Sequence, residues 1–167
     1  MKIGIISDTH DDVATVKKAV EIFKERGVSL VFHLGDYVSP PIVRLLKGLK
    51  VIGIFGNNDG YREKLIEAFK EIEGEIKGGF AEIEIEHLKI ALYHGEFREI
   101  SEALAKSGKY DVVFAGHFHK FEELKFGNTL LINPGAAHRY FTLDEGPKVG
   151  IFDTKLRKYE SITLSLL

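Results

Sequence analysis

Residues 1–10 read Met1-Lys2-Ile3-Gly4-Ile5-Ile6-Ser7-Asp8-Thr9-His10, a short apolar run that breaks into a carboxylate and an imidazole two positions apart. A run of this length bounded by polar residues predicts a buried strand over Lys2–Ser7. Immediately downstream, Val13, Val16, Val20 and Phe23 recur at helical spacing, between Asp12 as a candidate N-cap and Gly27 as a stop. Strand, polar loop and helix make one βα unit, and the order repeats. Ser29–Leu34 predicts a second buried strand, and Pro40 and Pro41 open a short helix through Leu46. Lys50–Phe55 predicts a third strand, followed by a helix striped by Leu65, Phe69 and Ile72 that ends near Gly74.

The pattern then changes. Phe80–Glu86 alternates apolar and acidic residues, the signature of a half-exposed strand, with Leu88–Tyr93 as its buried neighbour. Its acidic face, Glu82, Glu84 and Glu86, suits solvent or a protected sheet edge. A helix around Ser101–Ala105 leads to a strand over Tyr110–Ala115. Hairpins close the chain: Phe121–Phe126 with Thr129–Ile132 about Gly127-Asn128, then Val149–Asp153 with Tyr159–Leu166. Parallel-type units followed by hairpins predict an α/β fold, two mixed β-sheets packed as a sandwich and flanked by helices. No repeat, linker or low-complexity stretch divides the 167 residues, so one domain over 1–167 is expected.

Composition narrows the function. Without cysteine there is no disulfide framework, thiolate metal site or thiol nucleophile. A net charge of −2 gives no whole-molecule attraction for nucleic acid or acidic lipid. No apolar run reaches the ~20 residues of a membrane span, and the N-terminus enters a strand directly; a cytoplasmic protein is expected. Lysine and glutamate are abundant, glutamine is missing and methionine occurs once, a bias that fits a thermophilic source. Of four asparagines, Asn57, Asn58 and Asn133 fall in loops after strands, and Asn128 in a tight turn.

The polar residues after the strands form a set. Asp8-Thr9-His10, Gly35-Asp36, Gly56-Asn57-Asn58-Asp59, His94-Gly95 and Gly116-His117-Phe118-His119 each follow a predicted strand, where α/β sheets gather ligands. In extended backbone, residues two apart share a side, so Asp8 with His10 and His117 with His119 are each expected to aim into one site. Singly the motifs are bland: Asp8 could cap a helix, Gly35-Asp36 is ordinary turn chemistry, and Gly56–Gly60 could be a turn. Together they supply oxygen and imidazole enough for two divalent cations, which can clamp a phosphate and generate hydroxide at neutral pH. His33, inside a strand, is expected to be a core residue or to orient a ligand, and His87 to lie on the surface.

In this order, Asp-x-His, Gly-Asp, Gly-Asn-x-Asp, His-Gly and Gly-His-x-His resemble the calcineurin-like metallophosphoesterases, and within them the small single-domain prokaryotic phosphodiesterases. The resemblance covers nearly the whole chain, including Asn133-Pro134-Gly135. It implies that Asp8, His10, Asp36 and His119 hold one metal, and that Asp36 bridges to a second held also by Asn57, His94 and His117. It further implies attack on a small phosphodiester by a metal-bridging hydroxide. The carboxylate and imidazole set suits manganese, which is favoured, or nickel, iron, cobalt or zinc. A homo-oligomer is compatible with the sequence.

Two departures bear on catalysis. Many relatives carry histidine where this chain has Asn58, and that histidine assists the leaving group; an amide cannot donate a proton as an acid. Ala136 replaces a common serine. Asn58, Asp59, His138 and Arg139 are the expected catalytic residues, with Asp59 beside Asn58 and with His138 and Arg139 within reach of a substrate phosphate. A rival reading is an idle scaffold, since a retromer coat subunit resembles this fold with a degraded pocket; here all seven ligand positions hold ligating types. A DNA nuclease would need length and a basic patch that this chain lacks, and neither a P-loop nor a dinucleotide fingerprint occurs.

Overall fold

In the computed structural model, which describes residues 1–166, β1 (Lys2–Ile6) lies at the centre of a six-stranded sheet. Leu167, the last residue of the domain expected over 1–167, lies outside the described residues. Four of the five β1 residues are fully buried because both faces of the strand are covered, which is why it reads as a continuous apolar run.

The first sheet runs β11-β10-β1-β2-β3-β4. Here β2 is Leu30–His33, β3 Val51–Gly53, β4 Glu75–Ile76, β10 Lys148–Asp153 and β11 Lys158–Thr163. β1 to β4 are parallel, and β10 and β11 add antiparallel strands at the other side. The second sheet runs β5-β6-β7-β9-β8, with β5 at Phe80–Ile85, β6 at Leu88–Tyr93, β7 at Val112–Ala115, β8 at Phe121–Phe126 and β9 at Thr129–Pro134. β6, β7 and β9 are parallel, and the two edges pair antiparallel. The acidic strand is an edge, as its alternation predicts.

Three apolar layers hold this together. Between the sheets, Ile3, Ile5, Phe32 and Ile54 meet Ile90, Leu92, Phe114 and Ile132. On the outer face of the first sheet, α1 (Val13–Glu25), α2 (Pro40–Arg44) and α3 (Arg62–Glu71) bring Val16, Phe23, Val43, Leu65 and Phe69 against Ile6, Val31 and Val51. On the outer face of the second, α4 (Arg98–Lys106) sets Ala105 against Ala91, Val113 and Leu131. Four layers result, helices outside and two mixed sheets inside.

Differences from the sequence reading are local. β3 stops at Gly53 rather than Phe55, because its neighbour β4 offers only two residues to pair with; β4 itself is too short to show a period. β11 ends at Thr163 rather than Leu166, since Lys148 at the start of β10 is its last partner. The helix around Ser101–Ala105 extends to Arg98–Lys106.

Candidate metal centre

The parallel strands of both sheets end on one side of the molecule, and their loops carry the polar set. Asp8 and His10 follow β1, Asp36 follows β2, Asn57 follows β3, His94 follows β6, and His117 and His119 follow β7. Backbone bonds lock the loops together: Asp8 N–H donates to Gly35 O at 3.0 Å and His10 N–H to Asp36 O at 3.1 Å.

One potential ligand atom from each of Asp8, His10, Asp36 and His119 lies within 4.8 Å of all the others. His119 Nε2 is 3.1 Å from Asp8 Oδ1, and His10 Nε2 is 3.2 Å from Asp36 Oδ2. His94 Nε2 reaches the same Asp36 oxygen at 3.4 Å, so this carboxylate stands between two imidazoles. Although close, the Nε2 atoms of His10 and His94 are buried without an aligned hydrogen-bond partner. Convergence on oxygen without hydrogen-bond alignment is the arrangement expected of ligands that share an ion, so the donor set fits divalent metals. On the other side, Asn57 Oδ1 sits 3.0 Å from His117 Nδ1, and the His117 ring lies 5.3 Å from that of His94.

The electrostatics explain how two buried carboxylates survive. Burial alone would raise Asp8 and Asp36, but the facing histidines hold both well below the usual carboxylate range. In return, and against burial, the carboxylates push His10 and His94 up to about 9. Without a metal, two protons therefore occupy the pocket at neutral pH.

The surrounding groups orient these side chains. His94 Nδ1 donates to Leu34 O at 2.7 Å, turning Nε2 into the pocket. Ser7 Oγ and His117 N–H both donate to Asp8 Oδ2, at 2.5 and 3.0 Å. Asn133 Nδ2 donates to Gly116 O at 2.9 Å and so pins the His117 loop. Gly56 and Gly116 are glycines because a Cβ would stand 2.8 Å from His94 Cε1 and 2.7 Å from Asp8 Oδ2, respectively. His33 is fully buried, with Nδ1 accepting from Gly35 N–H at 3.2 Å and Nε2 against Thr9 Oγ1 at 3.1 Å; burial lowers it to about 3. It supports the ligand loops from behind. His87 is exposed in a turn.

The pairs two residues apart do share the site, but not through extended backbone. Asp8, His10, Asp36, His117 and His119 have φ of 53°, 39°, 59°, 72° and 55°, in the left-handed region that non-glycine residues avoid. Such strain persists where the surroundings fix the chain, and it clusters at functional sites.

The four residues expected to be catalytic are placed differently. Asn58 turns onto Asp36, its backbone N–H donating to Oδ1 and its Nδ2 to Oδ2, both at 2.9 Å. Asp59 is taken up by the backbone. Only 2% exposed, it accepts backbone N–H groups of Asp36, Gly56 and Val38 at 2.8, 2.7 and 3.0 Å, and so organises the loops without facing the pocket. Arg139 does not project towards a substrate phosphate either: it grips the Asp12 N-cap through Nε and Nη2, both at 2.9 Å. His138, fully buried, does adjoin the ligands, with Nε2 3.4 Å from His119 Nδ1. Tyr140 N–H donates to its Nδ1 at 3.1 Å, which places the ring proton on Nε2. Burial and the neighbouring His119 and His10 lower it to about 4, so it is neutral at pH 7. Ser7 and Leu34 carry no sequence signal, since a serine and a backbone carbonyl are ordinary in any loop.

Residues 1–157 match the model of the calcineurin-like phosphoesterase superfamily domain. The chain is 43% identical to phosphodiesterase MJ0936 of Methanocaldococcus jannaschii over 98% of its own length and 99% of that protein's. A solved structure of an archaeal phosphodiesterase superposes with a TM-score of 0.90 at 41% identity, covering 98% of this chain and all of that one. A Vps29 mutant from Entamoeba histolytica, at 19% identity and TM-score 0.69 over 99% and 100% of the two chains, shares the fold.

Proposed function

The chain belongs to the calcineurin-like phosphoesterase superfamily, and from that footing we propose that it is a binuclear, metal-dependent phosphodiesterase. The observation that carries the reading is Asp36, whose carboxylate lies between His10 on one side and His94 on the other. Asp8, His10, Asp36 and His119 would hold one metal, and Asp36, Asn57, His94 and His117 the second. Two bound divalent cations supply positive charge to the phosphoryl group and make water acidic enough to attack at neutral pH. Manganese is favoured, with nickel, iron, cobalt or zinc as alternatives.

The chain's own residues position and hold charge. Asn58 clasps the shared carboxylate, Leu34 O fixes the His94 ring, and Ser7 with the His117 N–H fixes Asp8. His138 is buried against the His119 ring and the Asn58 amide is bonded to Asp36, so neither aims an acid outward. Esters with good leaving groups, such as aryl phosphodiesters, should therefore turn over faster than alkyl ones. A small phosphodiester, rather than nucleic acid, suits the charge of −2. No helix among the described residues is long and apolar enough to cross a membrane, and the reading places the protein in the cytoplasm of a thermophile, with a homo-oligomer compatible.

The alternative, an idle scaffold, draws on the shared fold of Vps29 but must leave seven ligating side chains without use. Elemental analysis after metal loading, with turnover of bis(4-nitrophenyl) phosphate, decides between them. Two ions per chain with turnover supports the enzyme; no bound metal and no turnover sinks it.

A further inference from the structure

Two exposed aromatic rings stand directly against the ligand histidines, one on each half of the centre. Phe118, between His117 and His119 in sequence, is 41% exposed and packs edge-on against the His117 ring at 5.1 Å. Phe141 is 52% exposed and contacts His10 at 5.0 Å and His119 at 4.8 Å. Phe141 also packs on His138 at 4.2 Å, and both rings keep about half their surface open to solvent beside the imidazoles. Charge at the rim points the same way. Arg139 is held by Asp12, Arg98 by Glu102 and Glu122, and Arg62 bonds Asp59 O with its guanidinium over Phe55. That leaves, of the basic side chains in these loops, the exposed Lys120. Glu96, half-buried beside His94-Gly95, adds a carboxylate to the rim. A substrate arm bearing further phosphates would meet a carboxylate and committed arginines; an arm bearing a planar ring would meet Phe118 or Phe141.

We propose that Phe118 and Phe141 form an aromatic subsite that selects phosphodiesters whose retained ester group carries a planar ring, an aryl group or a nucleobase. The proposal rests on the phosphodiesterase reading for its reaction, and not for its binding site. Ring stacking on aromatic side chains is commonly worth about tenfold or more in affinity per ring.

The test compares three esters with the same 4-nitrophenol leaving group: bis(4-nitrophenyl) phosphate, thymidine 5′-(4-nitrophenyl phosphate) and methyl 4-nitrophenyl phosphate. Only the retained group differs, so leaving-group chemistry cancels. In the metal-loaded wild type, KM for a ring-bearing ester should be about tenfold below that of the methyl ester. Whether the bis-aryl or the thymidine ester gains more separates an aryl from a nucleobase preference. Phe118→Leu and Phe141→Leu keep apolar volume but remove the ring, and each should shrink that ratio at unchanged metal content, whereas Phe141→Tyr should retain it. A second readout needs no turnover: calorimetric affinity for phenylphosphonate over methylphosphonate, lost in the leucine variants. Turnover of all three esters with equal KM in wild type and variants overturns the subsite and leaves the phosphodiesterase standing. No turnover, with a phenylphosphonate preference that the leucine variants lose, overturns the phosphodiesterase reading and leaves the subsite.

Discussion

The two halves of the centre are built to different standards. Around Asp8, His10 and His119 the side chains are buried or nearly so, the loops are tied by backbone bonds, and the ligand atoms already lie within 4.8 Å of one another together with Asp36. Around Asn57, His94 and His117 the His94 ring is fixed by Leu34 O, and the His117 backbone is pinned by Asp8 and Asn133, but the His117 ring bonds only the exposed Asn57, which does not point to a common position with Asp36. A preorganised site binds without spending interaction energy on ordering its ligands, and a loose one does not. The first half should hold its metal tightly and the second should exchange it.

Asp36 joins the halves, so its removal should be the largest effect. Asp36→Asn keeps the volume and fold but loses the shared negative charge. Removing a group that merely orients a ligand typically costs 10- to 100-fold; losing the shared ligand should cost activity more than about a hundredfold while the circular dichroism spectrum stays that of the wild type. Next come substitutions that separate the halves. His119→Ala should lower the stoichiometry of tightly held metal, whereas Asn57→Ala should leave one tight ion and weaken only the second. Equal losses in both variants would erase the distinction.

The clustering of these polar residues was legible in the sequence because they follow strand ends. Asp8, Asp36, Asn57, His94 and His117 each lie one to four residues past a parallel strand, and short apolar runs locate those strands. What stayed hidden was where polar atoms spend their hydrogen bonds. Asn58 reads as a substitute for an acid, yet its amide is on Asp36; Arg139 reads as a phosphate partner, yet it is on Asp12 across the chain. Asp59 reads as a site residue because of its neighbours, yet three backbone donors take its carboxylate inward. Residue type gives the capacity to bond; the partner depends on contacts far apart in sequence. The left-handed backbone of the ligand loops was equally invisible, since aspartate and histidine there need tertiary support.

A smaller effect distinguishes the metal-free pocket from the loaded one. His10 and His94 are raised to about 9 from an ordinary 6.5, so the stability they contribute is complete below 6.5 and is lost as pH rises through 9. Asp8 and Asp36 are lowered, so their contribution is complete above 3.8 and fails only in strong acid. The Tm of stripped protein should fall between pH 7 and 9.5 while that of loaded protein holds. Metal binding must also expel both histidine protons, so calorimetry in buffers of different ionisation enthalpy should find about two protons released at pH 7 and few above pH 9.5. The smallest expected effect lies outside both halves. Arg139→Ala should lower the Tm only slightly, as befits a half-exposed ion pair to a helix cap, with little change in metal affinity. A large loss of turnover at unchanged stability would return Arg139 to the substrate.

The central claim, two unequal metal positions joined by Asp36, is tested most directly by titrating metal-stripped wild type and Asp36→Asn with manganese in a calorimeter. Two ions per wild-type chain with two resolved affinities, and loss of both in Asp36→Asn, is the predicted result. Two equal and independent sites, or a variant that keeps both, would contradict it.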